Sequence, residues 1–261
     1  MSATTGTHDV SHAERPRCLQ AWHELSGSDH FWMEWRFRVV VNALRDLGLD
    51  LDRRWLALDV GCGYGVVRRQ LQQVSNWTVD GCDVDRDALQ RQHLTGRTLL
   101  YDVHDQRPEL ESIYDVALLM DVVEHVEVPQ PFLRAVIYHL KPGGLVVINV
   151  PALQSCYSQY DRAVGHWRRY TRRSLIEETH QAGLVPLKVG YWGFGLLPVL
   201  ALRKLLMSVE RDGDAAAVVS RGMKPPNASL HRMLKTWMRI ETRLLPSPPL
   251  GSSVYLIAKR A

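Results

Sequence analysis

Short apolar runs alternate with helix-like segments along most of this chain. Apolar runs of about four to eight residues, bounded by turn residues, are typical of buried strands, and the helical patterns between them indicate crossover connections. The alternation therefore predicts an α/β fold built on a doubly wound, mostly parallel sheet. The first strand-like run ends at Val60, and the six others occupy residues 77–82, 98–103, 114–120, 140–150, 185–192 and 253–258.

A helix-like segment with many aromatic side chains, residues 30–44, precedes the first of these runs. Helical spacing places Phe31, Trp35 and Val39 on one side. Such a stripe packs on a sheet, and it also suits a cover over a ligand cleft in which Trp32 contacts the substrate.

The segment between the sixth and seventh runs, residues 192–248, predicts a helical insert. It opens with an apolar stretch, 192–207, that ends in basic residues, and a second helix follows at 229–245. We expect the two helices to pack as a hairpin. The stretch is too short to span a bilayer, which takes about 20 residues, but it suits a membrane surface, a lipid-like substrate or a second subunit. Residues 212–226 predict a flexible connection.

Composition and charge fit one elaborated domain. The chain has 261 residues, 46% of them hydrophobic, so it can bury a substantial core. The polar residues 1–15 predict a disordered tail, and residues 16–261 a single domain with 16–50 as its helical cover. A conventional signal peptide is not expected. Four widely spaced cysteines predict reduced thiols in a cytoplasmic protein. The net charge of +4 is too small to indicate nucleic-acid binding.

The run 58–65, LDVGCGYG, carries the strongest functional signal. It lies between a strand-like run and a helical pattern, where glycines let the backbone turn sharply and let a ligand approach closely. The spacing G-x-G-x-G differs from the G-x-G-x-x-G of dinucleotide-binding loops, which disfavours a nicotinamide cofactor. An acid at the end of the next strand, Asp83, suits a ribose, while Asp85 suits the cap of a helix at 86–93.

These motifs and their order resemble the class I, Rossmann-like S-adenosylmethionine-dependent methyltransferases of the small-molecule type. The resemblance implies a seven-stranded sheet whose last strand runs antiparallel between the fifth and sixth. It implies S-adenosylmethionine as cofactor and S-adenosylhomocysteine as product, with Asp102 at the adenine. The residues 58–103 are called the cofactor frame below. The expected cofactor contacts are Asp59, Gly61, Cys62, Gly63, Gly65, Asp83, Val84, Asp102, Val103 and Met120.

Two histidines are candidate catalytic bases, because a neutral imidazole can accept a proton near pH 7. His125 follows the fourth strand, where open α/β sheets bind ligands. The segment from Asp121 through Glu124 to His125 resembles the E-x-x-E-H segment of quinone-precursor O-methyltransferases, whose acids and histidine can hold a divalent cation. The same acids can also stabilise a helix start, and we expect no metal.

The second histidine, His166, lies in a basic, aromatic loop after the fifth strand, residues 150–173, called the acceptor loop below. Its V-P-A…D-x-x-x-G-H-x-R-R-Y pattern resembles that of a subset of bacterial methyltransferases. Arginine forks bind carboxylate or phosphate, so we expect an anionic acceptor here, with Thr171 capping the next helix. His166, His125 and Tyr170 are the catalytic candidates; the candidate acceptor contacts are Tyr157, Asp161, Arg168, Arg169 and Trp32.

The sequence therefore predicts methyl transfer to an oxygen or nitrogen atom of a small or lipid-like acceptor. Two alternatives stay open: a regulatory protein that binds the cofactor without turnover, and a metal-assisted methyltransferase like those acting on quinone precursors. Nucleic acid is not an expected partner, and peripheral membrane contact through 192–207 is a candidate. The acceptor and the oligomeric state are not determined by the sequence.

Overall fold

The computed structural model describes residues 30–90, 92, 94–209, 218 and 227–261, with 206–209 described by their backbone alone. One seven-stranded sheet forms the centre, in the order β3-β2-β1-β4-β5-β7-β6. The strands are β1 (Leu56–Val60), β2 (Thr78–Asp83), β3 (Thr98–Leu100), β4 (Tyr114–Met120), β5 (Leu140–Pro151), β6 (Leu184–Trp192) and β7 (Ser253–Arg260). Strands β1 to β5 pair in parallel, and β7 runs antiparallel to both β5 and β6. The predicted doubly wound sheet is confirmed.

Helices cover both faces of the sheet. The α-helices are α1 (Phe31–Asp46), α2 (Val66–Gln72), α3 (Arg86–Gln90), α4 (Pro129–His139), α5 (Gln159–Val164), α6 (Arg172–Gln181), α7 (Leu197–Val209) and α8 (Ala228–Leu244). Short 3-10 helices lie at Val103–Asp105, Pro108–Leu110, Val123–His125, Gln154–Cys156 and Phe194–Leu196. The predicted tail, 1–15, lies outside the described residues, as does the predicted connection 212–226 apart from Val218.

Side chains alternate between two hydrophobic layers along the central strands. In β4, Ala117 and Leu119 point into one layer, whereas Val116 and Leu118 point into the other, as the two-residue period of a strand requires. The first layer packs against α4 and α6, and the second packs against α1, α2 and α8. A fully buried leucine such as Leu133 of α4 contributes about 2 to 5 kcal/mol relative to alanine. This packing fixes the strand ends on which the site depends.

The strand order reverses between β1 and β4, which creates a crevice at their carboxyl ends. The chain moves outward from β1 through β2 to β3 on one side, and from β4 to β5 on the other. Open α/β sheets bind ligands at such a switch point because the loops leaving the two central strands diverge there. The glycine loop of the cofactor frame follows β1, and the acceptor loop follows β5. Both loops therefore lie at this edge of the sheet.

The two insert helices do not pack as the predicted hairpin. Helix α8 lies on α1, whereas α7 lies on α5 and the neighbouring 3-10 helix. A Lys235–Glu34 ion pair of 2.8 Å joins α8 to α1, and Met238 of α8 is buried in the second layer. The insert helices meet near the start of α7, where Glu241 accepts hydrogen bonds from the backbone N–H groups of Phe194 and Gly195, both at 2.8 Å. Among the described helices, none is both long and apolar enough to cross a membrane.

Candidate active site

The glycine loop of the cofactor frame has a backbone that few other residues could adopt. Gly61, Gly63 and Gly65 have φ values of 67°, 50° and 71°, in the left-handed region where a β-carbon is unfavourable. A β-carbon on Gly61 would also lie 2.9 Å from a methyl group of Val122. The amide of Gln92 donates to the carbonyl oxygen of Gly63, which fixes the loop from outside. The result is a preformed backbone cradle at the end of β1.

Asp83 joins this cradle to the end of β2. One carboxylate oxygen accepts a hydrogen bond from the Gly63 N–H at 2.9 Å, and the other accepts from the Asp85 N–H at 2.8 Å. Asp85 in turn accepts from the N–H groups of Asp87 and Ala88, which confirms its predicted role as a helix cap, although α3 ends at Gln90. Asp83 therefore lies directly beside the glycine loop, as a ribose-binding acid would.

The remaining cofactor candidates line the crevice unevenly. Asp102 caps the 3-10 helix after β3 and pairs with His104 Nδ1 at 2.8 Å, so its carboxylate stays at the rim. Val84 is exposed beside Asp83, whereas Val103 and Met120 are buried in the two hydrophobic layers. Val84 and Asp102 are thus open to a ligand, and the other two residues support the crevice from beneath.

Two buried groups in the frame differ in what they offer a ligand. Asp59 is buried, and its Oδ2 atom has no hydrogen-bond partner within the described ranges. Burial raises the pKa of Asp59 to about 7 against the opposing charges of Arg36 and Arg68. An unpartnered buried carboxylate is costly, and a cationic ligand group would relieve that cost. Burial also raises the pKa of Cys62 to about 12, so this thiol is an inert filler in the cradle.

Helix α1 is tied to the carboxyl ends of β4 and β5 by a polar network. Arg36 donates to Asp121 at 2.5 Å, and Asn149 donates to the other carboxylate oxygen at 2.6 Å. Trp192 donates to Asn149 at 2.8 Å, and its ring lies 4.5 Å from that of Trp32. These contacts place the aromatic helix at the switch point. Sequence reasoning missed Asn149, although a polar residue within the apolar run of β5 was a usable signal.

The acceptor loop is organised around the buried carboxylate of Asp161. His166 donates from Nδ1 to Oδ1 of Asp161 at 3.0 Å, and Arg169 donates to both carboxylate oxygens, at 2.7 and 3.2 Å. The same carboxylate accepts from the N–H and hydroxyl of Ser158 in a capping box at the start of α5. Burial alone would raise the pKa of Asp161, but His166 and Arg169 hold it well below its usual range.

An ionised Asp161 fixes the tautomer of His166. Because the carboxylate accepts from Nδ1, the neutral imidazole carries its lone pair on Nε2. That atom lies 3.9 Å from a carboxyl oxygen of Glu124, and the ring of His125 lies 4.7 Å away, edge to face. Both histidine candidates therefore meet at one point between the exits of β4 and β5. Tyr157 holds the loop by donating to the His166 carbonyl oxygen at 2.7 Å.

Glu124 completes this group as a buried acid. Neither carboxyl oxygen has a hydrogen-bond partner among the described residues, and burial together with Asp121 raises the pKa of Glu124 well above its usual value. Single ligand atoms of Glu124, His125 and His166 lie within 4.8 Å of one another. The metal hypothesis from the sequence includes Asp121, but Asp121 is engaged by Arg36 and Asn149. The third residue beside Glu124 and His125 is His166 instead.

Four of the predicted acceptor or catalytic residues have polar groups that are already engaged or buried, and their functional roles stay predictions. Arg169 and Asp161 form a buried ion pair with each other. Arg168 donates to the Glu127 carbonyl oxygen and lies 3.7 Å from Glu178. Tyr170 is 1% exposed and belongs to the hydrophobic layer under the loop. Thr171 caps α6 as predicted.

A different arginine, Arg203 of α7, reaches the acceptor loop. Its guanidinium lies 4.4 Å above the ring of Tyr160, its Nε has no hydrogen-bond partner in the part of the chain that the structure describes, and burial lowers its pKa. The adjacent Lys204 donates to the Ser155 carbonyl oxygen at 2.6 Å. Sequence reasoning missed this contact because nothing in the local pattern shows that the insert folds back on α5.

Comparison with known proteins identifies methyltransferases as similar to this chain. Residues 32–189 match the family model described as "Methyltransferase domain". A ubiquinone biosynthesis O-methyltransferase of Shewanella sp. (strain ANA-3) is 28% identical over 160 residues, which cover 57% of this chain and 65% of that protein. The chain thus spans less than two thirds of this relative's length.

Two solved structures show the same fold at low identity. One is a phosphoethanolamine N-methyltransferase of Haemonchus contortus in complex with phosphomonomethylethanolamine and S-adenosylhomocysteine (TM-score 0.52, 14% identity, 85% of this chain and 52% of that chain). The other is a geranyl diphosphate C-methyltransferase of Streptomyces coelicolor A3(2) in complex with Mg²⁺, geranyl diphosphate and S-adenosylhomocysteine (TM-score 0.53, 14% identity, 84% and 76%).

Proposed function

We propose, since this chain belongs to the methyltransferase domain family, that it methylates an oxygen or nitrogen atom of a small or lipid-like acceptor with His166 as the base. The cofactor is S-adenosylmethionine. The observation that carries the proposal is the Asp161–His166 pair, which lies beside Glu124 and His125 between the exits of β4 and β5. Oxygen is the favoured acceptor atom, because the similar Shewanella protein is named an O-methyltransferase.

Backbone turns and carboxylates of the cofactor frame support this cofactor. The glycine cradle leaves room for a ligand against the backbone, Asp83 would accept from the ribose hydroxyls and Asp102 from the adenine amino group. The unpartnered oxygen of Asp59 would accept from the amino group of the methionine moiety. When bound, S-adenosylmethionine supplies a methyl group on a sulfonium, a strong leaving group. The protein therefore has to orient the acceptor and remove its proton.

His166 is placed to remove that proton at Nε2. As the imidazole becomes positively charged, the ionised Asp161 stabilises it through Nδ1 and prevents the ring from turning, as in other carboxylate–histidine pairs. Such a base accelerates proton transfer by about 10²- to 10⁴-fold. Arg169 and Tyr157 act through Asp161 and the His166 backbone, so they are positioning residues.

Replacement of His166 tests the proposal. His166→Ala should lower kcat by about 10²-fold or more and leave the affinity for S-adenosylmethionine nearly unchanged in calorimetry, because a separate part of the chain holds the cofactor. His180→Ala, at an exposed position of α6, is the matched control. Unaltered turnover in His166→Ala would return the role of base to His125. Cofactor binding without methyl transfer to any acceptor of a broad panel would favour the regulatory alternative.

A metal-assisted reaction is the second candidate, because Glu124 has two buried oxygens without partners beside two histidines. Two imidazoles and one carboxylate can hold a transition metal or zinc, and Asp161 would orient His166 as carboxylates orient metal-bound histidines. Under the first candidate the enzyme keeps full activity in excess chelator. Loss of activity with recovery on Mg²⁺, Mn²⁺ or Zn²⁺, together with binding of that metal in calorimetry that Glu124→Gln abolishes, would establish the second.

The acceptor is proposed to be lipid-like and anionic. Arg203 supports an anionic acceptor, since its guanidinium reaches the acceptor loop from α7, and Arg203→Ala should therefore raise the acceptor KM. Exposed apolar residues of α7, Val199 and Leu202, support contact of residues 192–207 with a lipid-like acceptor or a membrane surface.

A further inference from the structure

The outward face of α8 is a continuous apolar stripe. Leu230, Met233, Trp237, Ile240 and Leu244 follow one another at spacings of three and four residues, so they lie in line on one side of the helix. All five are exposed, Met233 by 60% and Leu244 by 76%. Fourteen residues of helix place the ends of the stripe about 21 Å apart.

The inward face of α8 is fixed to the protein, so the stripe cannot turn inward. Met238 is buried in the hydrophobic layer and Leu234 packs against it. Lys235 pairs with Glu34, and Glu241 binds the backbone at the start of α7. Trp237 lies against Gly195, where a β-carbon would be 2.1 Å from the indole nitrogen. These contacts hold α8 in one rotation and leave the apolar stripe in water.

Basic side chains follow one edge of the stripe. Arg232, Arg239 and Arg243 are exposed, and no carboxylate in the described part of the chain lies within ion-pair distance of them. The acidic residue of α8, Glu241, is buried on the opposite side. A shallow groove of about 490 Å³ runs between the stripe and the basic edge, lined by Ser229, Arg232, Met233, Thr236, Trp237 and Ile240.

We propose that this face of α8 docks on an anionic phospholipid surface. An amphipathic helix of this kind lies in the membrane interface, with its apolar side among the upper acyl chains and its arginines at the headgroups. Trp237, which is 48% exposed, adds an aromatic ring surface at the same depth. A second copy of the chain is the weaker fit, since pairing two such faces would bring arginines together without an acidic partner. Helix α8 is separate from the 192–207 segment, and its docking does not require methyl transfer.

Vesicle sedimentation with the full-length protein tests the docking face. The protein should bind vesicles of phosphatidylcholine mixed with phosphatidylglycerol, bind phosphatidylcholine vesicles much more weakly, and dissociate as salt is raised. The variant Met233→Ser/Ile240→Ser/Leu244→Ser should bind about 100-fold more weakly, because three apolar side chains no longer enter the interface. Each of Arg232→Gln, Arg239→Gln and Arg243→Gln should weaken binding about fivefold.

Matched controls separate the face from general surface effects. Leu187→Ser removes an equally exposed apolar side chain from β6, and Arg134→Gln removes an exposed charge from α4; both should leave vesicle binding unchanged. Failure of the wild-type protein to bind anionic vesicles would overturn the proposal. So would a loss of binding confined to Val199→Ser/Leu202→Ser on α7. A concentration-dependent dimer in sedimentation velocity that the triple variant abolishes, without vesicle binding, would assign the face to a second copy.

Discussion

The cofactor frame and the acceptor loop lie at the same edge of the sheet but are built in opposite ways. In the frame, a short stretch of backbone at the end of β1 forms the cradle, and Asp83 reaches it from the adjacent strand. In the acceptor loop, side chains buried around one carboxylate hold His166 in place. The frame therefore depends on glycines, whereas the loop depends on buried ion pairs. Substitutions in the frame should lower cofactor affinity, and substitutions in the loop should lower stability and turnover.

The largest effect is expected at Gly63. Gly63→Val should reduce the affinity for S-adenosylmethionine by more than about 100-fold in calorimetry, because a β-branched residue resists a φ of 50° and its side chain fills the cradle. Gly48→Ala, at another positive φ with open space around it, controls for backbone strain and should keep full affinity. Retained affinity in Gly63→Val would place the cofactor outside the frame.

Arg169→Ala should damage the loop and spare the frame. Removing one partner of a buried ion pair costs about 3 kcal/mol in the free energy of unfolding, and kcat should fall because Asp161 no longer holds His166 firmly. Denaturant unfolding, steady-state kinetics and cofactor calorimetry measure these effects separately. Arg162→Ala, at an exposed position on α5, should stay within about 0.5 kcal/mol of the wild type. A rise in acceptor KM with unchanged stability would restore Arg169 as an anion-binding residue.

Asp83→Ala should weaken cofactor binding by about 1.5 to 3 kcal/mol, the usual contribution of a hydrogen bond to a charged group. The same carboxylate supports the Gly63 N–H, so the loss includes some disorder of the cradle. Asp87→Ala, on the exposed side of α3, is the control in the same titration. If affinity were unchanged in Asp83→Ala, the ribose contact would have to lie elsewhere.

The smallest predicted effect is a pH dependence from Asp59. Its pKa of about 7 means that the ionised form, which would attract the cationic amino group, increases as pH rises from 6 to 8. Affinity should therefore rise about tenfold over that range, and Asp59→Asn should remove the rise. The free energy of unfolding changes with pH in the opposite direction. Because the pKa of Asp59 is higher in the folded than in the unfolded protein, its contribution to the free energy of unfolding declines as pH rises from about 4 towards 8. A flat affinity profile in the wild type would exclude Asp59 from the amino-group contact.

The sequence predicted the glycine turn after β1 and the position of Asp83 beside it, because local rules determine both. The glycine spacing, the strand that precedes it and the acid at the end of β2 all lie within a βαβ unit of about 30 residues. The alternation of strands and helices predicted the doubly wound sheet, and the family resemblance implied the antiparallel last strand between β5 and β6. Helix caps such as Asp85 and Thr171 were also predictable, since a cap binds residues only two or three positions away.

The acceptor loop was predicted in location but not in its contacts. Arg169 looked like a free anion-binding fork, yet it pairs with Asp161, eight residues away, because both side chains are buried together. The approach of Arg203 to Tyr160 depends on how the insert packs, and so does the contact of α8 with α1. Burial and long-range pairing decide these interactions, and the local periodicity of the sequence predicts neither of them.

The position of β7 between β5 and β6 has a consequence for synthesis of the chain on the ribosome. Strand β6 is an edge strand whose neighbour in the sheet is β7, the last strand in chain order, at Ser253–Arg260. During translation β6 emerges long before its partner and must wait while the insert is made. The sheet is completed only when residues 253–260 have left the exit tunnel, so a truncated product that ends within α8 lacks the strand that links β6 to the rest of the sheet.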